Sequence, residues 1–301
     1  MTSGRDESLF SFPPIDTPLE SDEHWLARAS DGPHTGNVYC QLIDAIAELA
    51  PQAPADRLAD LREAGRLLAR SVVRIDQIVD GDADSDTQAN EALTAQICLL
   101  QALGVLHRMF PPERRFWAEL ARLMRIYSSG SLHEHEFRTR KRPWSTLDPI
   151  EAVRLTLQKN ALAQAAIFGI CELRGDYATA EPLVAAVMDF TVAAQCIDDA
   201  NDWRHDYRSR TPSLVTAHLG AFLDSADTAL AMKHATAAVL TRGLLHAVLE
   251  RGHAHVRRAS SALVLADSPS WRLLTGSLEM AYRRVLELWS DDAPIEVTAP
   301  S

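Results

Sequence analysis

Apolar residues recur at every third or fourth position along most of this chain, from about Asn37 to about Asp291. This spacing is typical of amphipathic helices, because residues three and four apart lie on the same helix face. β-Branched runs bounded by turn residues are scarce, so strands are not predicted. We predict helices over residues 37–50, 54–80, 86–109, 112–137, 147–174, 176–207, 211–222, 225–266 (interrupted) and 268–290.

The short separators between these segments predict one large, all-α helical bundle that surrounds an apolar cavity. Residues 1–36 are polar and carry four prolines, which predicts a flexible N-terminal arm. Residues 37–291 then form a single helical domain, and residues 292–301 form a tail.

The composition narrows the classes of protein that fit. Hydrophobic residues make up 47% of the 301 residues, which is enough for a sizeable core and excludes general disorder. The net charge of −11 repels phosphate backbones, so no nucleic-acid partner is expected. The four cysteines are far apart in apolar segments, which predicts buried thiols in a reducing compartment.

The N-terminus predicts a soluble, cytoplasmic protein. It is acidic where a secretory signal peptide is basic, and it lacks an apolar core. No window approaches 18 uninterrupted apolar residues, so we expect no transmembrane segment.

Asp76 and Asp80 close the predicted helix over 54–80. Residues four apart differ by about 40° around a helix, so the two carboxylates share one face. The same face continues back through small and apolar residues, namely Val73, Val72, Ala69 and Gly65. A polar helix end that runs into an acidic surface loop explains this first cluster about as well as a metal site.

The stretch "QCIDDANDWRHDYRSR" holds a second and denser cluster, with Asp198, Asp199, Asp202 and Asp206 on one side of a predicted helix. Carboxylates that end an apolar stripe suit Mg²⁺, which binds one or two of them, keeps waters and bridges to substrate phosphates. The alternative is a solvated face that collects aspartates. Two such helices in one chain favour a functional site.

An anionic substrate also requires cationic side chains. Lys159 and Arg210 are the preferred diphosphate contacts, and the run that contains Arg138 and Arg140 is a candidate lid. The motif "HEHE" at 133–136 is not a metal site, because two histidines two residues apart diverge by about 160° on a helix. We interpret it as polar surface or cavity rim.

Three of these stretches resemble motifs of the class I isoprenoid synthase superfamily, which includes trans-polyprenyl diphosphate synthases and class I terpene synthases. "QCIDDANDWRHDYRSRTPS" is similar to the second aspartate-rich motif, Q-x-x-D-D-x-x-D. "DQIVDGD" resembles the first motif, D-D-x-x-D, and "QKNALAQAAIFG" resembles the helix whose lysine contacts diphosphate. The similarity spans roughly residues 55–220 in the same order.

The resemblance implies a helical bundle in which the two acidic helix ends face each other across an apolar cavity. It implies Mg²⁺ ions, usually three, that join a prenyl diphosphate to the catalytic and metal-binding residues Asp76, Asp80, Asp198, Asp199 and Asp202. It assigns substrate binding to Lys159, Gln195, Asp206, Arg208, Arg210, Arg138 and Arg140. A homodimer is a family-level expectation.

Three differences between this chain and the motifs of the superfamily shape the expected function. Gln77 replaces the second aspartate of the first motif, "ADSDTQAN" stands where chain-elongating synthases have Arg-Arg-Gly, and the basic cluster for isopentenyl diphosphate is not evident. We therefore expect Mg²⁺-dependent ionisation of an allylic diphosphate followed by carbocation cyclisation, as in a terpene synthase, a lyase of isoprenoid biosynthesis. One alternative is a prenyltransferase that passes the cation to an acceptor. Another is a non-catalytic regulatory or binding member of the superfamily.

Overall fold

The computed structural model describes residues 35–80, 85–224, 228–241 and 243–290, and every regular element in these ranges is a helix. The all-α prediction is confirmed. The α-helices of these ranges are α1 Thr35–Ala47, α2 Ala55–Asp80, α3 Ser85–Met109, α4 Arg115–Arg138, α5 Pro149–Lys159, α6 Ala165–Arg174, α7 Ala180–Ser209, α8 Leu214–Ala217, α9 Gly220–Leu223, α10 Thr228–Thr241, α11 Leu244–Ser260 and α12 Pro269–Ser290. Short 3₁₀ helices cover Trp144–Thr146, Ala161–Gln164 and Leu263–Leu265.

The chain divides into two compact units, Met1–Ile43 with Ala53–Arg114, and Asp44–Gln52 with Arg115–Ser301. The predicted single domain and its apolar cavity stay predictions, as does the N-terminal arm, nearly all of which lies outside the described residues together with the tail. In the first unit α2 packs along α3. Buried residues recur on α3 with helical spacing, at Ala95, Cys98, Ala102, Val105, Leu106 and Met109.

Helix α7 is the central helix of the second unit, where it packs mainly against α11, which also contacts α12. Gly252 of α11 permits this close approach, because a Cβ there would meet the Tyr282 hydroxyl oxygen at 1.8 Å and Cys196 Cβ at 2.6 Å. The buried Tyr282 hydroxyl donates to the Ala193 carbonyl oxygen of α7 at 2.5 Å. These contacts tie α11 and α12 to the middle of α7.

Three predicted helices are divided in the structure. The predicted helix over 211–222 forms the two short helices α8 and α9. The predicted helix over 147–174 begins two residues late and ends at Lys159, because the Asn160 side chain donates to the Thr156 carbonyl oxygen at 2.9 Å and caps α5. The predicted helix over 225–266 is divided at Gly243, which has a positive φ of 60° that favours glycine. Three of the four cysteines, Cys98, Cys171 and Cys196, are buried free thiols, as predicted.

Two stretches, Thr87–Met109 in α3 and Ala180–Ser209 in α7, are long and apolar enough to cross a bilayer by length and composition. This is weak evidence for a membrane protein, because the core helices of globular proteins meet the same criteria. More than half of the α7 stretch is buried within the protein. The expected absence of a transmembrane segment stays a prediction.

The approach of α11 to α7 predicts that Gly252→Ala lowers the free energy of unfolding by roughly 1–3 kcal/mol, since the added methyl group overpacks a rigid contact. Gly276→Ala is the matched control, because it also lies within a helix of this unit and its Cβ would meet nothing within 4 Å. The control should be neutral or stabilising by up to about 1 kcal/mol. Urea denaturation measures both, and equal effects would contradict the packing described here.

Candidate functional site

The four aspartates of the second motif, near the end of α7, differ in their access to solvent. Asp199 is 1% exposed, whereas Asp198 and Asp206 are half-buried and Asp202 is exposed. Asp199 and Asp206 share the helix face of Trp203, which packs into the core of the second unit. Asp198 and Asp202 lie about 40° apart on the neighbouring side, so they form the accessible pair.

Gln195 and Leu214 supply hydrogen-bond donors to the buried end of this cluster. The Gln195 amide nitrogen donates to Asp199 Oδ1 at 2.8 Å and to Asp198 Oδ2 at 3.1 Å. The backbone N–H of Leu214, at the start of α8, donates to Asp199 Oδ2 at 2.6 Å. Both oxygens of Asp199 therefore accept a hydrogen bond from the protein.

The crowding of these carboxylates raises their pKa values. Burial raises the pKa of Asp206 to about 8 and is reinforced by the Asp199 carboxylate. Burial likewise raises the pKa of Asp199 to about 7, although the bonds from Gln195 and Leu214 oppose it. Burial and the neighbouring Asp202 raise the pKa of Asp198, which Gln195 and Lys159 lower in part. The donors of the protein therefore do not fully offset the cost of ionising these carboxyl groups.

Lys159 brings a cation to the edge of the cluster. Its Nζ lies 2.5 Å from Glu134 Oε2, and the Glu134 side chain is only 3% exposed. The charge of Lys159 lowers the pKa of Asp198, and the charge of Glu134 raises that of Asp199. Lys159 was predicted from the sequence as a diphosphate contact, and the structure places it beside the second aspartate motif.

Glu134 is the residue of this site that the sequence analysis missed. It lies in "HEHE", which was interpreted as polar surface or cavity rim, yet its side chain is buried. Gly130, one turn earlier, lets α4 approach the end of α5, since a Cβ there would lie 2.7 Å from Gln158 Cβ. A signal for Glu134 was available, because it continues the buried register Phe116, Leu120, Leu123, Tyr127, Gly130 and Phe137.

Arg210 ends α7 in the left-handed conformation, with φ at 60°. Its Nη1 donates to the Leu223 carbonyl oxygen at 2.9 Å, and its guanidinium carbon lies 5.5 Å from the centre of the Trp144 ring. Arg140 follows the end of α4 in the same conformation, with φ at 59°, and its charge contributes to lowering the pKa of Arg210 after burial. Diphosphate binding by either arginine stays a prediction.

The other predicted residues are placed as follows. Arg138 is half-buried at the end of α4, and Arg208 is exposed near the end of α7. Asp76 is half-buried on α2 in the first unit, and the Asp80 side chain lies outside the described residues. That the two aspartate motifs face each other across a cavity therefore stays a prediction.

The carboxylates of α7 suit a Mg²⁺ ion that is shared with a substrate. They do not enclose an ion by themselves. In the described ranges no group of three or more His, Cys, Asp or Glu residues is arranged to hold a metal ion. Asp198 and the exposed Asp202 offer two carboxylates, and Mg²⁺ usually takes one or two together with waters and substrate phosphate oxygens. Burial and the neighbouring Asp202 raise the pKa of Asp198, and a nearby cation would oppose both effects.

Three solved structures that this chain resembles are named as prenyl diphosphate synthases. Octaprenyl pyrophosphate synthase from Helicobacter pylori superposes with a TM-score of 0.63 and 14% identity, over 87% of this chain and 93% of that one. A decaprenyl diphosphate synthase from Rhodobacter capsulatus gives 0.65 and 18%, over 88% of each chain. Geranylgeranyl pyrophosphate synthetase from Pyrococcus horikoshii Ot3 gives 0.60 and 17%, over 89% of this chain and 91% of that one.

These likenesses establish the fold. The chain has the same all-helical fold as these three synthases, as the motif resemblance predicted. No protein-family model matches the sequence, and no curated protein matches it. The likeness is therefore carried by the backbone over most of the chain, with few identical residues.

The raised pKa of Asp206 predicts a pH-dependent stability. Its folded pKa of about 8 exceeds the ordinary value of about 3.9, so the folded state holds a proton that the unfolded state has lost between these pH values. The free energy of unfolding of the metal-free protein should fall as the pH rises from 5 to 8. The Asp206→Asn variant should be more stable than wild type by on the order of 1 kcal/mol at pH 8 and should differ little from it at pH 5. Denaturation curves at both pH values measure this, with the exposed Asp267→Asn as control. Parallel pH profiles of wild type and Asp206→Asn would contradict it.

The ion pair of Lys159 with Glu134 predicts a coupled stability effect. Lys159→Met leaves a buried carboxylate without its cation and should cost roughly 3 kcal/mol, whereas Lys159→Met with Glu134→Gln should cost clearly less. Arg154→Met is the control, because it breaks a more exposed pair with Glu151 on the same helix and should cost at most about 1 kcal/mol. If Lys159→Met costs no more than the control, the pair does not stabilise the site.

Proposed function

We propose that this protein ionises an allylic prenyl diphosphate with the help of Mg²⁺ and transfers the prenyl cation to an acceptor, as a prenyltransferase. The observation that carries the proposal is the accessible pair Asp198 and Asp202 beside Lys159, next to the buried Asp199 of the same motif. The fold supports it, since the solved structures that resemble the chain are named as prenyl diphosphate synthases.

Each group of the site has a distinct part in this reaction. Asp198 and Asp202 would hold Mg²⁺, which would supply positive charge to stabilise the leaving diphosphate. Lys159 adds a fixed ammonium on the same side of the cluster, where it stabilises the leaving diphosphate. Gln195 holds Asp198 by a hydrogen bond at 3.1 Å and so keeps its other lone pairs oriented for binding.

Cyclisation within the same protein is the second candidate function. The sequence supports it, because Arg-Arg-Gly is missing after the first motif and no basic cluster for isopentenyl diphosphate is evident. Both functions share the ionisation step and differ in what captures the cation. A separate acceptor captures it in a transferase, and another part of the same prenyl chain captures it in a cyclase.

A product assay distinguishes these functions. Purified protein with Mg²⁺ is incubated with C10, C15 or C20 allylic diphosphate, with and without isopentenyl diphosphate or another nucleophilic acceptor. A transferase releases diphosphate and forms a longer or prenylated product only with the acceptor. Hydrocarbon or alcohol products without an acceptor would support cyclisation instead. Absence of turnover under every condition would contradict both and favour a non-catalytic role.

A matched set of variants tests the role of the accessible pair. Asp198→Asn and Asp202→Asn should each lower kcat/KM by at least about 100-fold, since each removes charge that holds Mg²⁺ against the diphosphate. Glu181→Gln, an exposed carboxylate in the first turn of the same helix, is the control and should change kcat/KM by less than about twofold. Full activity in Asp198→Asn or Asp202→Asn would remove the pair from the mechanism.

A further inference from the structure

We propose that Asp199 is a positioning residue and does not bind the metal, although it occupies the second aspartate of the motif. Its carboxylate accepts a hydrogen bond from the Leu214 N–H, and this bond, called the tie below, holds the turn after α7 against the helix. Through Gln195 the same carboxylate sets the orientation of Asp198. The proposal rests on the proposed function for the role of Asp198 and Asp202, but the tie itself is a property of the fold.

Asp199 and Asp202 differ in their access to solvent. Asp199 is 1% exposed, whereas Asp202, one turn further along α7, is exposed. Mg²⁺ bound with its waters needs open space around the ligand oxygen. Asp199 would have to leave its buried position to reach such an ion, and this movement would break the bond of 2.6 Å from the Leu214 amide.

The Asp199 carboxylate accepts two hydrogen bonds. Both groups that bond to it, the Gln195 amide nitrogen and the Leu214 N–H, are donors. A carboxylate satisfies two donors with two acceptor oxygens, which explains why an ionisable residue is buried here. The same Gln195 nitrogen donates to Asp198, so the amide joins the buried aspartate to an accessible one.

The bond between Leu214 and Asp199 holds the start of α8 in place. Leu214 opens α8, where Ser213 caps the helix and forms a reciprocal capping box with Thr216. Thr216 also donates to the carbonyl oxygen of Thr211, which fixes the turn that follows Arg210. The bond from Leu214 to Asp199 therefore closes a stretch of chain that contains Asp202 and the arginines at the end of α7.

The test compares asparagine and alanine at three positions. An asparagine at position 199 keeps a carbonyl oxygen for the Leu214 amide. Gln195 then gives up its bond to residue 199 and keeps its bond to Asp198. Binding of Mn²⁺ with inorganic diphosphate, followed by electron paramagnetic resonance, should stay within about threefold of wild type in Asp199→Asn and weaken at least tenfold in Asp199→Ala. At positions 198 and 202 both asparagine and alanine should weaken binding at least tenfold.

Hydrogen exchange provides a readout that does not depend on metal. The amides of residues 214–217 should exchange at least tenfold faster in Asp199→Ala than in wild type, and should be unchanged in Asp199→Asn and Asp198→Ala. Loss of Mn²⁺ binding in Asp199→Asn equal to that in Asp198→Asn, or unchanged exchange in Asp199→Ala, would overturn the proposal. If wild type binds no Mn²⁺ with diphosphate, the proposed function fails, and the exchange comparison alone decides whether Asp199 forms the tie.

Discussion

The burial of carboxylates on α7 is unfavourable in free energy, and contacts from the rest of the second unit must offset that cost. Helix α7 withdraws Asp199 fully and Asp198 and Asp206 partly from water, and the pKa of each is raised. An isolated ionised carboxylate is unfavourable in such surroundings unless donors or cations lie against it. The Gln195 amide and the Leu214 N–H provide two donors, and Lys159 provides one positive charge.

This constraint explains several local features together. Helix α5 stops at Lys159, so the ammonium lies at a helix end, where it also neutralises the buried Glu134. Gly130 allows the close contact of α4 with α5 that the ion pair requires. The turn at Arg210 returns the chain so that Leu214 meets Asp199. A bound cation would offset the negative charge that remains on these carboxylates, and an anionic substrate would bind to that cation.

The all-helical fold and the accessible pair follow from local pattern. Helical periodicity predicts the elements, and four-residue spacing places Asp198 and Asp202 on one side of α7. The burial of Asp199 depends on Leu214, fifteen residues away, and spacing alone places Asp199 among the ligands. Arg210 was expected to reach toward diphosphate, yet its contact with the Leu223 carbonyl depends on how α9 folds back. Contacts of this kind come from tertiary packing, which no local pattern reports.

The central claim is that the α7 carboxylates bind a diphosphate through Mg²⁺. Calorimetric titration of inorganic diphosphate into the wild-type protein, with and without Mg²⁺, tests it most directly, with the double variant Asp198→Asn/Asp202→Asn for comparison. The account predicts that wild type binds diphosphate only when Mg²⁺ is present and that the double variant does not bind it in either condition. Equal binding without Mg²⁺, or equal binding by the double variant, would contradict the account.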